Sequence, residues 1–541
     1  MFINFSDIPG NQNLFLDYLY EFDNVKEFYS ADFRNKENYL KVFKSVADSK
    51  NDAREKVADI LKTQYSSLQS SVLTSKNIES LSDKRTMAVV TGQQLGILGG
   101  PLYTFYKIIT AIKLSRHLAE RYDEYNFVPV FWLEADDHDF NEVRSIKVIN
   151  DNNDIINVGY SAEISEDDAK ESVGYIKFNQ SLNEFINNVS KNLRDTEFKE
   201  PLLEKIKSFY AEGSTFKDSF KKLIHWVFDE YGLVIFDPQD RQVKDLLKPI
   251  FKKEITDFRQ HTQELVHVSA RLEELYHAQV KVRPVNLFLT VENGRYSIEP
   301  DENEFKLRRK RKSFSLEQML EIVDNEPERF SPNVLLRPIC QDYLFPTAFY
   351  VAGPSEISYF AQLKPLYSFY KITEPIIYPR SSATILESSI AKILSKHDLN
   401  ATEIFIDPDV VKKRILNSLS EVTLEDLFSK VNNEIEIAFD QLRERLFQLD
   451  KTISDASKKY KEKIFQALNE LKTKAEQAQQ KKHEATLRQI DRASVNLFPH
   501  NNLQERELNF VYFANKYGTD FIKLIFKELQ INKFEHQVIE L

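Results

Sequence analysis

The stretch Val89-Val-Thr-Gly-Gln-Gln-Leu-Gly-Ile-Leu-Gly-Gly-Pro101 is the part of the chain that decides the fold class. It holds four of the twelve glycines. A short apolar run at 87–90 precedes it, and a helical pattern at 102–120 follows. This layout predicts a strand, a tight glycine-rich turn and a helix N-terminus. In open α/β sheets such a turn lies where substrates bind, because bare N–H groups and the helix dipole attract anions.

Length and charge narrow the classes of protein to consider. A chain of 541 residues is too long for one ordinary core, so we expect two or three structural units. The 83 acidic residues outnumber the 73 basic ones, for a net charge of −10. This balance argues against a broad nucleic-acid surface, although a local basic pocket for one nucleotide stays open.

Cysteine content and apolar runs predict a cytoplasmic protein. Cys340 is the single cysteine, which excludes an intramolecular disulfide, and its apolar neighbourhood indicates a packing role. The first thirteen residues lack the pattern of a signal peptide. The longest apolar runs, such as 127–133, have the length of a strand, so we expect no membrane span.

Changes of pattern along the chain predict an interrupted α/β core. Strands at 87–90, 127–133, 232–236, 345–351 and 375–378 each end in a polar or glycine-containing turn. Either these turns gather along one edge of a parallel sheet, or each is an ordinary helix cap. The predicted segments are core at 1–160, a first connecting insertion at 161–205, a core strand–helix unit at 206–242, a second connecting insertion at 243–330, the second half of the core at 331–400, a helical coiled coil at 401–495 and a C-terminal return to the core at 496–541.

The predicted coiled coil rests on an apolar seam. Residues 409–498 contain neither glycine nor proline, and from 435 onward apolar residues recur at steps of four and three. As one helix, 431–490 would be roughly 90 Å long. So narrow a stripe needs a partner, either an earlier helix at 410–427, the same helix of a second subunit, or both. We expect a homodimer.

The glycine-rich turn and the cluster Asp136-Asp137-His138-Asp139 are the two candidate sites of chemistry. The turn lacks the P-loop ending and the dinucleotide spacing, but Gln93 and Gln94 offer two amides to a polar substrate. The alternative is that its glycines only permit close packing. The acidic cluster suits Mg²⁺ capture or general-base work with His138, whereas a protein-held zinc site is not expected. The alternative is that Asp137 or Asp139 caps a helix and His138 lies in the core.

Two arginines and one basic run complete the candidates. Arg337 lies within Leu335-Leu-Arg-Pro338, and Arg380 follows the strand that ends at Tyr378. Each could clamp a carboxylate or phosphate or form an ordinary salt bridge. The run at 306–312 is either a nucleic-acid patch or a solvated loop. In an acidic chain the solvated loop is the better interpretation.

Ordered segments over nearly the whole chain resemble one family, the cysteine-adding enzymes (cysteine ligases) of bacillithiol biosynthesis. The segments are Thr91-Gly-Gln-Gln-Leu-Gly96, Gly100-Pro-Leu-Tyr103, Lys107, Val128-Pro-Val-Phe-Trp132, Asp137-His-Asp-Phe140, Leu336-Arg-Pro338, Gln341-Asp342, Gly353-Pro354, Glu356-Ile357, Tyr359, Pro379-Arg380, Leu503-Gln-Glu-Arg506, Asn509 and Tyr517-Gly518.

The resemblance implies a Rossmann-like, nucleotidyltransferase-type α/β core with two connecting insertions and a long α-helical coiled coil that pairs subunits. The implied reaction joins the carboxyl group of L-cysteine to the amine of glucosaminyl-malate, giving bacillithiol. A carboxylate must be activated before an amide forms, so ATP is the implied agent. A need for Mg²⁺, and ADP or AMP as by-product, stay open.

Roles for individual residues follow from their positions at strand ends. The residues expected to hold the sugar or malate group are Thr91, Gly92, Gln93 and Gln94. The residues expected to orient or deprotonate the attacking amine are Asp137, His138 and Asp139. Lining of the facing side is expected from Gly353, Ser355, Glu356 and Tyr359, and contact with a carboxylate or phosphate from Arg337 and Arg380. Gln504, Glu505 and Arg506 follow the coiled coil, so they either close the core or help to form a nucleotide site beside it.

Two other functions compete with this one. The first is a coiled-coil scaffold whose α/β domain binds a nucleotide or metabolite without turning it over. The second is an RNA-linked aminoacyl transferase, which would need a basic face that the net charge disfavours.

Overall fold

The computed structural model of the protein describes residues 1–49, 53–161, 171–302, 304–419 and 423–541. These residues form two compact units. The first comprises Met1–Thr384 and Leu503–Ile539, and the second comprises Ile385–Asn502 and Glu540–Leu541. The chain therefore leaves the first unit after Thr384 and returns to it at Leu503, and its last two residues belong to the second unit.

The strands, in chain order, are β1 (Phe2–Ile3), β2 (Thr86–Gln94), β3 (Asn126–Glu134), β4 (Ser145–Ile149), β5 (Ile155–Gly159), β6 (Val234–Phe236), β7 (Leu287–Val291), β8 (Gly294–Asp301), β9 (Glu304–Leu307), β10 (Ser313–Ser315), β11 (Phe330–Pro332), β12 (Thr347–Ala352), β13 (Ile376–Pro379), β14 (Ser382–Leu386) and β15 (His536–Glu540).

The helices, in the same order, are α1 (Asn13–Tyr20), α2 (Glu37–Asp48), α3 (Ala53–Gln64), α4 (Val72–Ser80), α5 (Tyr103–Arg121), α6 (Phe140–Val143), α7 (Ser181–Asn192), α8 (Lys199–Phe209), α9 (Phe216–Phe228), α10 (Arg241–Leu275), α11 (Leu316–Asn325), α12 (Arg337–Leu344), α13 (Pro354–Phe360), α14 (Lys364–Tyr370), α15 (Ser388–Lys396), α16 (Ala401–Ile406), α17 (Pro408–Ser418), α18 (Leu424–Leu449), α19 (Lys451–Lys482), α20 (Glu484–Leu497), α21 (Gln504–Glu507), α22 (Phe510–Tyr517) and α23 (Phe521–Glu528).

A parallel five-stranded sheet forms the core of the first unit, in the order β13-β12-β2-β3-β6. Its strands are apolar and buried almost throughout, as expected for a sheet covered on both faces. The chain builds β2, β3 and β6 outward in one direction and then returns to the other side of β2 with β12 and β13. The reversal places a topological switch point between β2 and β12, where α/β sheets bind their ligands. The predicted Rossmann-like class is confirmed.

The second half of the glycine-rich stretch is a tightly packed turn. Strand β2 continues through Gln94, so the turn begins later than the sequence indicates. A Cβ on Gly96 would lie 2.5 Å from Gly100 Cα, which shows how closely the backbone approaches itself. Asn509 fixes the turn by donating from Nδ2 to the carbonyl oxygens of Leu98 (3.1 Å) and Gly100 (2.6 Å). The N–H groups of Gly99 and Gly100 donate within the turn, so these two are not bare donors for an anion.

Two small sheets lie outside the central one. Strands β4 and β5, in the predicted core segment 1–160, pair as an antiparallel hairpin. The second insertion contains α10 and a five-stranded sheet in the order β10-β9-β8-β7-β11. Its hairpin β7–β8 turns through Glu292 and Asn293, both with positive φ, and Gly294 already pairs with Val291. Part of the predicted first insertion, residues 162–170, lies outside the described residues.

The second unit contains a helical hairpin where the sequence predicts one long helix. Helix α18 ends at Leu449, and Asp450 caps the start of α19 by accepting from the N–H groups of Thr452 and Ile453. Lys461 lies 2.6 Å from Glu436, so α19 runs antiparallel along α18. The expectation of an unbroken helix over 431–490 was wrong, because the cap at Asp450 starts a new helix and the apolar stripe folds back on its own chain.

No helix in the described part of the chain is both long and apolar enough to cross a membrane.

Candidate functional site

A cleft of 720 Å³ lies at the carboxyl edge of the central sheet. Its floor comes from the ends of β2 and β3, one wall from the segment that opens α13, and the opposite wall from the β7–β8 sheet and residues 279–283. It lies at the switch point between β2 and β12. This is the position at which α/β sheets collect ligand-binding side chains.

Twelve of the sixteen residues assigned from the sequence line this one cleft. They are Gly92, Gln93, Gln94, Asp137, His138, Arg337, Gly353, Ser355, Glu356, Tyr359, Arg380 and Arg506. They come from segments more than 400 residues apart in the chain, and the parallel sheet brings their strand ends together. The lining thus matches the expectation that several strand ends meet at one edge.

The other four assigned residues do not line the cleft. Thr91 is buried, and its hydroxyl donates to the carbonyl oxygen of Val351 at 2.9 Å, joining β2 to β12. Asp139 caps α6 by accepting from the N–H of Glu142, which was the alternative interpretation. Gln504 and Glu505 are buried in α21. The enclosed side chains of Thr91, Gln504 and Glu505 present no surface to a substrate or nucleotide, whereas Asp139 is exposed but lies outside the cleft lining.

Lys107 holds the floor of the cleft together. Its ammonium group donates to the carbonyl oxygen of Gly92 (3.0 Å) and to Gln93 Oε1 (2.9 Å), and it pairs with Glu356 Oε2 at 2.5 Å. Glu356 Oε2 also accepts from the N–H of Gly353, and Oε1 accepts from the hydroxyl of Tyr350. The charges of the lysine and the glutamate compensate each other, so this pair shapes the floor.

Arg337 is likewise committed within the protein. Its guanidinium donates to Gln341 Oε1 (2.8 Å) and to the hydroxyl groups of Tyr350 (3.2 Å) and Tyr359 (2.7 Å). Its Nε lies 2.8 Å from Glu134 Oε1. Four partners occupy this cation, so its role is to hold Glu134 and the two tyrosines in place.

The Asp136–His138 turn is held by the polar groups around it. Asp136 accepts from Lys244 Nζ (2.8 Å) and Gln239 Nε2 (3.1 Å). Asp137 accepts from Gln94 Nε2 (2.5 Å) and from the N–H of His138 (2.7 Å). Burial raises the pKa of each aspartate, but the neighbouring cations and hydrogen bonds outweigh it and hold both pKa values below the ordinary one.

His138 faces a cation from the second insertion. Arg295 Nη1 lies 3.4 Å from His138 Nδ1, and the Arg295 guanidinium stacks 3.7 Å from the centre of the Phe288 ring. Burial and the charge of Arg295 lower the pKa of His138. The imidazole is therefore neutral at pH 7 and able to accept a proton or a hydrogen bond.

Arg380 lines the cleft, and the buried carboxylate of Glu505 compensates its charge. Its Nη2 lies 2.6 Å from Glu505 Oε1, and both side chains are buried. Glu505 also accepts from Ser382 Oγ (2.8 Å) and from the N–H of Ala383 (2.9 Å). Burial opposes ionisation of Glu505, but Arg380 and these donors keep its pKa below the ordinary value.

Three cations that line the cleft have no such commitment. Within the described residues, the side chains of Lys281, Arg283 and Arg506 make no hydrogen bond or ion pair, although all three line the cleft. Burial and the nearby charge of Arg380 lower the pKa of Arg506. An anionic ligand would relieve the repulsion between Arg506 and Arg380, so this part of the cleft favours carboxylate or phosphate groups.

Several lining residues were not assigned from the sequence. Glu134 is the last residue of β3 and begins the acidic stretch 134–139, so it could have been found as the polar end of a buried strand. Lys281, Arg283 and Arg295 come from the second insertion, where no local pattern distinguishes them from other surface cations. Among the residues with described placement, no group of three or more His, Cys, Asp or Glu side chains could hold a metal ion.

The fold and the cleft define an α/β protein with a Rossmann-like core, whose polar ligand site lies at the switch point of a parallel sheet. Residues 1–381 match the model of the bacillithiol biosynthesis BshC N-terminal Rossmann-like domain, and residues 383–541 match its C-terminal coiled-coil domain. The chain belongs to the BshC family of bacillithiol biosynthesis.

Relatives of similar length support this membership. A protein of Salinibacter ruber named "Putative cysteine ligase BshC" is 33% identical over 97% of this chain and 96% of its own length. A protein of the same name from Chloroherpeton thalassium is 35% identical over 94% and 92%. A solved structure described as a "putative arginyl t-RNA synthetase" from Campylobacter jejuni covers 85% of this chain and 95% of its own at 13% identity, but its TM-score of 0.18 supports no argument.

Proposed function

We propose that the cleft joins the carboxyl group of L-cysteine to the amine of glucosaminyl-malate, giving bacillithiol. The family's place in bacillithiol biosynthesis and the relatives' name, cysteine ligase, support the substrates. The observation that carries the proposal is the division of the charges in the cleft into two sets. One set of charges is the compensated network around Lys107 and Arg337, and the other is the three uncommitted cations Lys281, Arg283 and Arg506.

The three uncommitted cations suit the anionic groups of glucosaminyl-malate and of a nucleoside triphosphate. Glucosaminyl-malate carries malate carboxylates, and a nucleoside triphosphate carries several negative charges. Arg283 and Arg506 can each present a planar pair of N–H groups to a carboxylate or phosphate. Of the three residues that the sequence assigned to a nucleotide site, Arg506 is the one that lines the cleft.

We further propose ATP as the agent that activates cysteine. An amine does not displace a free carboxylate oxygen, so that oxygen must first become part of a good leaving group. The N–H donors of Lys281, Arg283 and Arg506 fit a polyphosphate, and any Mg²⁺ that the reaction needs would arrive bound to the polyphosphate. Gln93, Gln94 and Ser355 would then orient the sugar or malate hydroxyl groups by hydrogen bonding.

A homodimer is the proposed assembly. The α18–α19 hairpin leaves large apolar side chains exposed to solvent on both helices, among them Leu442, Phe447, Ile453 and Tyr460. A coiled-coil domain is compatible with oligomerisation. A second copy of the hairpin would bury these side chains by the same seam that the sequence shows.

The test is mass spectrometry on purified protein incubated with L-cysteine, glucosaminyl-malate, ATP and Mg²⁺. Bacillithiol is the expected product; AMP would indicate an adenylate intermediate and ADP an acyl phosphate. Complete recovery of unreacted substrates from folded protein would contradict the proposal and favour the non-catalytic scaffold.

A matched pair of variants tests the uncommitted cations by calorimetric titration with ATP. Arg506→Gln is expected to weaken binding about tenfold or more, since a charged hydrogen bond contributes about 1.5–3 kcal/mol. Arg85→Gln removes an exposed arginine at the opposite end of β2 and serves as the control. Equal ATP affinity in the two variants would exclude Arg506 from the nucleotide site.

A further inference from the structure

Five carboxylates line the cleft, and in three of them both oxygens are engaged. Asp136 and Asp137 each accept hydrogen bonds on both oxygens. Glu356 accepts from Tyr350 on one oxygen and from the Gly353 N–H on the other, and it also pairs with Lys107. A carboxylate engaged in this way gains little by taking a proton, because the proton would displace a donor.

The other two are Glu142, which is exposed and accepts from Gln94 Nε2 on its Oε2, and Glu134. Glu134 Oε1 contacts Arg337 Nε, but within the described residues its Oε2 accepts no hydrogen bond. The side chain is 25% exposed, and it lies where β3 opens into the cleft. On β2, Gly92 pairs with Trp132 and Gln94 pairs with Glu134. A Cβ added at Gly92 would make an ordinary van der Waals contact, 3.4 Å, with Oε1, the oxygen that Arg337 already holds. Oε2 is therefore the oxygen that remains for a ligand.

We infer that Glu134 is the general base that takes the proton from the attacking amine, an inference that rests on the proposed ligase function. The amine nitrogen of glucosaminyl-malate forms a bond to the carbonyl carbon of activated cysteine. The bond from that carbon to the activating phosphate oxygen breaks, and the phosphate group leaves with the electron pair. The proton released from nitrogen passes to Glu134 Oε2.

The electrostatics of the cleft agree with this role. Burial raises the pKa of Glu134 to about 7; Arg337 opposes the rise, whereas the neighbouring Glu356, Asp136 and Asp137 add to it. A base works best when its pKa lies near the working pH. Asp137 and His138, the bases expected from the sequence, have pKa values lowered below their ordinary ones and so hold a proton less readily at pH 7.

The experiment compares two acceptors on the same enzyme. Hydroxylamine is already a neutral nucleophile at pH 7 and needs no base, so it intercepts activated cysteine as the hydroxamate. Glu134→Gln is expected to slow bacillithiol formation 10²–10⁴-fold while keeping cysteine hydroxamate formation within threefold of wild type. Retained hydroxamate formation also shows that the variant is folded. Glu124→Gln, an exposed glutamate before the amino end of β3, is the matched control.

The pH profile gives a second readout. Wild-type turnover with glucosaminyl-malate is expected to fall as pH drops through about 7, because protonated Glu134 cannot accept the proton. Hydroxamate formation is expected to show no such limb. Loss of the limb in His138→Gln together with its retention in Glu134→Gln would overturn the inference in favour of His138.

Other outcomes separate this inference from the proposed function. The Glu134→Gln variant could lose both products equally while it keeps the wild-type circular dichroism spectrum. That result would overturn the base role, since Glu134 would then act before the amine attacks. Bacillithiol formation within tenfold of wild type would overturn it as well. Wild-type protein that makes neither product would overturn the proposed function itself, and the base assignment with it.

Discussion

The buried ion pair between Arg380 and Glu505 predicts a large loss of stability on a small chemical change. The relative exposure of the two side chains is 4% and 0%, and their charged atoms lie 2.6 Å apart. Glu505→Gln keeps the shape of the side chain but removes its charge. Arg380 would then remain buried without a compensating anion.

The expected cost can be worked out from the partners of Glu505. Breaking a buried pair by removing one charge costs about 3–5 kcal/mol. The new amide has one accepting oxygen, whereas the carboxylate accepts from Arg380 and Ser382 on one oxygen and from the Ala383 N–H on the other. The NH₂ group would therefore face a donor, which adds to the cost. Folded domains are stable by only about 5–15 kcal/mol, so the variant would be marginal.

Urea unfolding followed by tryptophan fluorescence measures this loss. Both tryptophans of the chain, Trp132 and Trp226, belong to the first unit, which also contains the ion pair. The double variant Arg380→Met with Glu505→Leu should recover most of the lost stability, because replacing both charges by apolar groups is often neutral. Its activity would still fall, since Arg380 lines the cleft.

Two results would refute this reasoning. Glu505→Gln that unfolds within about 1 kcal/mol of wild type would mean that Arg380 reaches solvent or another anion. A double variant no more stable than the single one would mean that the cost arises from packing and not from charge. Asp59→Asn, at an exposed pair with Lys62, is the control expected to leave the unfolding curve unchanged.

Three further predictions follow from other parts of the molecule. Gly96→Ala should destabilise the first unit by about 1–3 kcal/mol in the same unfolding assay, because its Cβ would lie 2.5 Å from Gly100 Cα. Gly159→Ala is the control and should be tolerated, because the atom nearest to its Cβ would be 3.9 Å away. Equal effects of the two substitutions would contradict the close approach at Gly96. Burial lowers the pKa of His536 to about 4, so the unfolded chain takes up this proton first and about 3 kcal/mol of stability should disappear as pH falls from about 6.5 to 4. His536→Gln should lack this part of the acid sensitivity, and identical pH dependence in both proteins would argue against a neutral buried imidazole. Phe447→Ser, at an exposed apolar position of α18, should shift the protein from dimer toward monomer in analytical ultracentrifugation; an unchanged sedimentation coefficient would place any dimer contact elsewhere.

Local pattern predicted most of the central sheet. The apolar runs before Gln93, Glu134 and Gly353 are strands because their side chains are buried on both faces, and such burial leaves a continuous apolar run in the sequence. The polar residues after them meet at one edge because parallel strands all end on the same side. This reasoning requires no knowledge of which strands are neighbours, and so it succeeded from the sequence alone.

The order of the strands and the partner of each charge depend on contacts between distant segments. Nothing near Glu505 in the sequence shows that its carboxylate compensates Arg380, and nothing near Asp450 shows that the apolar stripe folds back there instead of continuing. Lys281, Arg283 and Arg295 enter the cleft only because the second insertion folds over the sheet edge.

The sequence by itself therefore determined the class of fold and the strand ends that carry the site. Only the tertiary structure decided which of those side chains pair with one another and which remain available to a ligand. The physical reason is that the burial and periodicity of an element are visible in the types of its neighbouring residues. The pairing of charges depends instead on contacts between residues that are hundreds of positions apart in the chain.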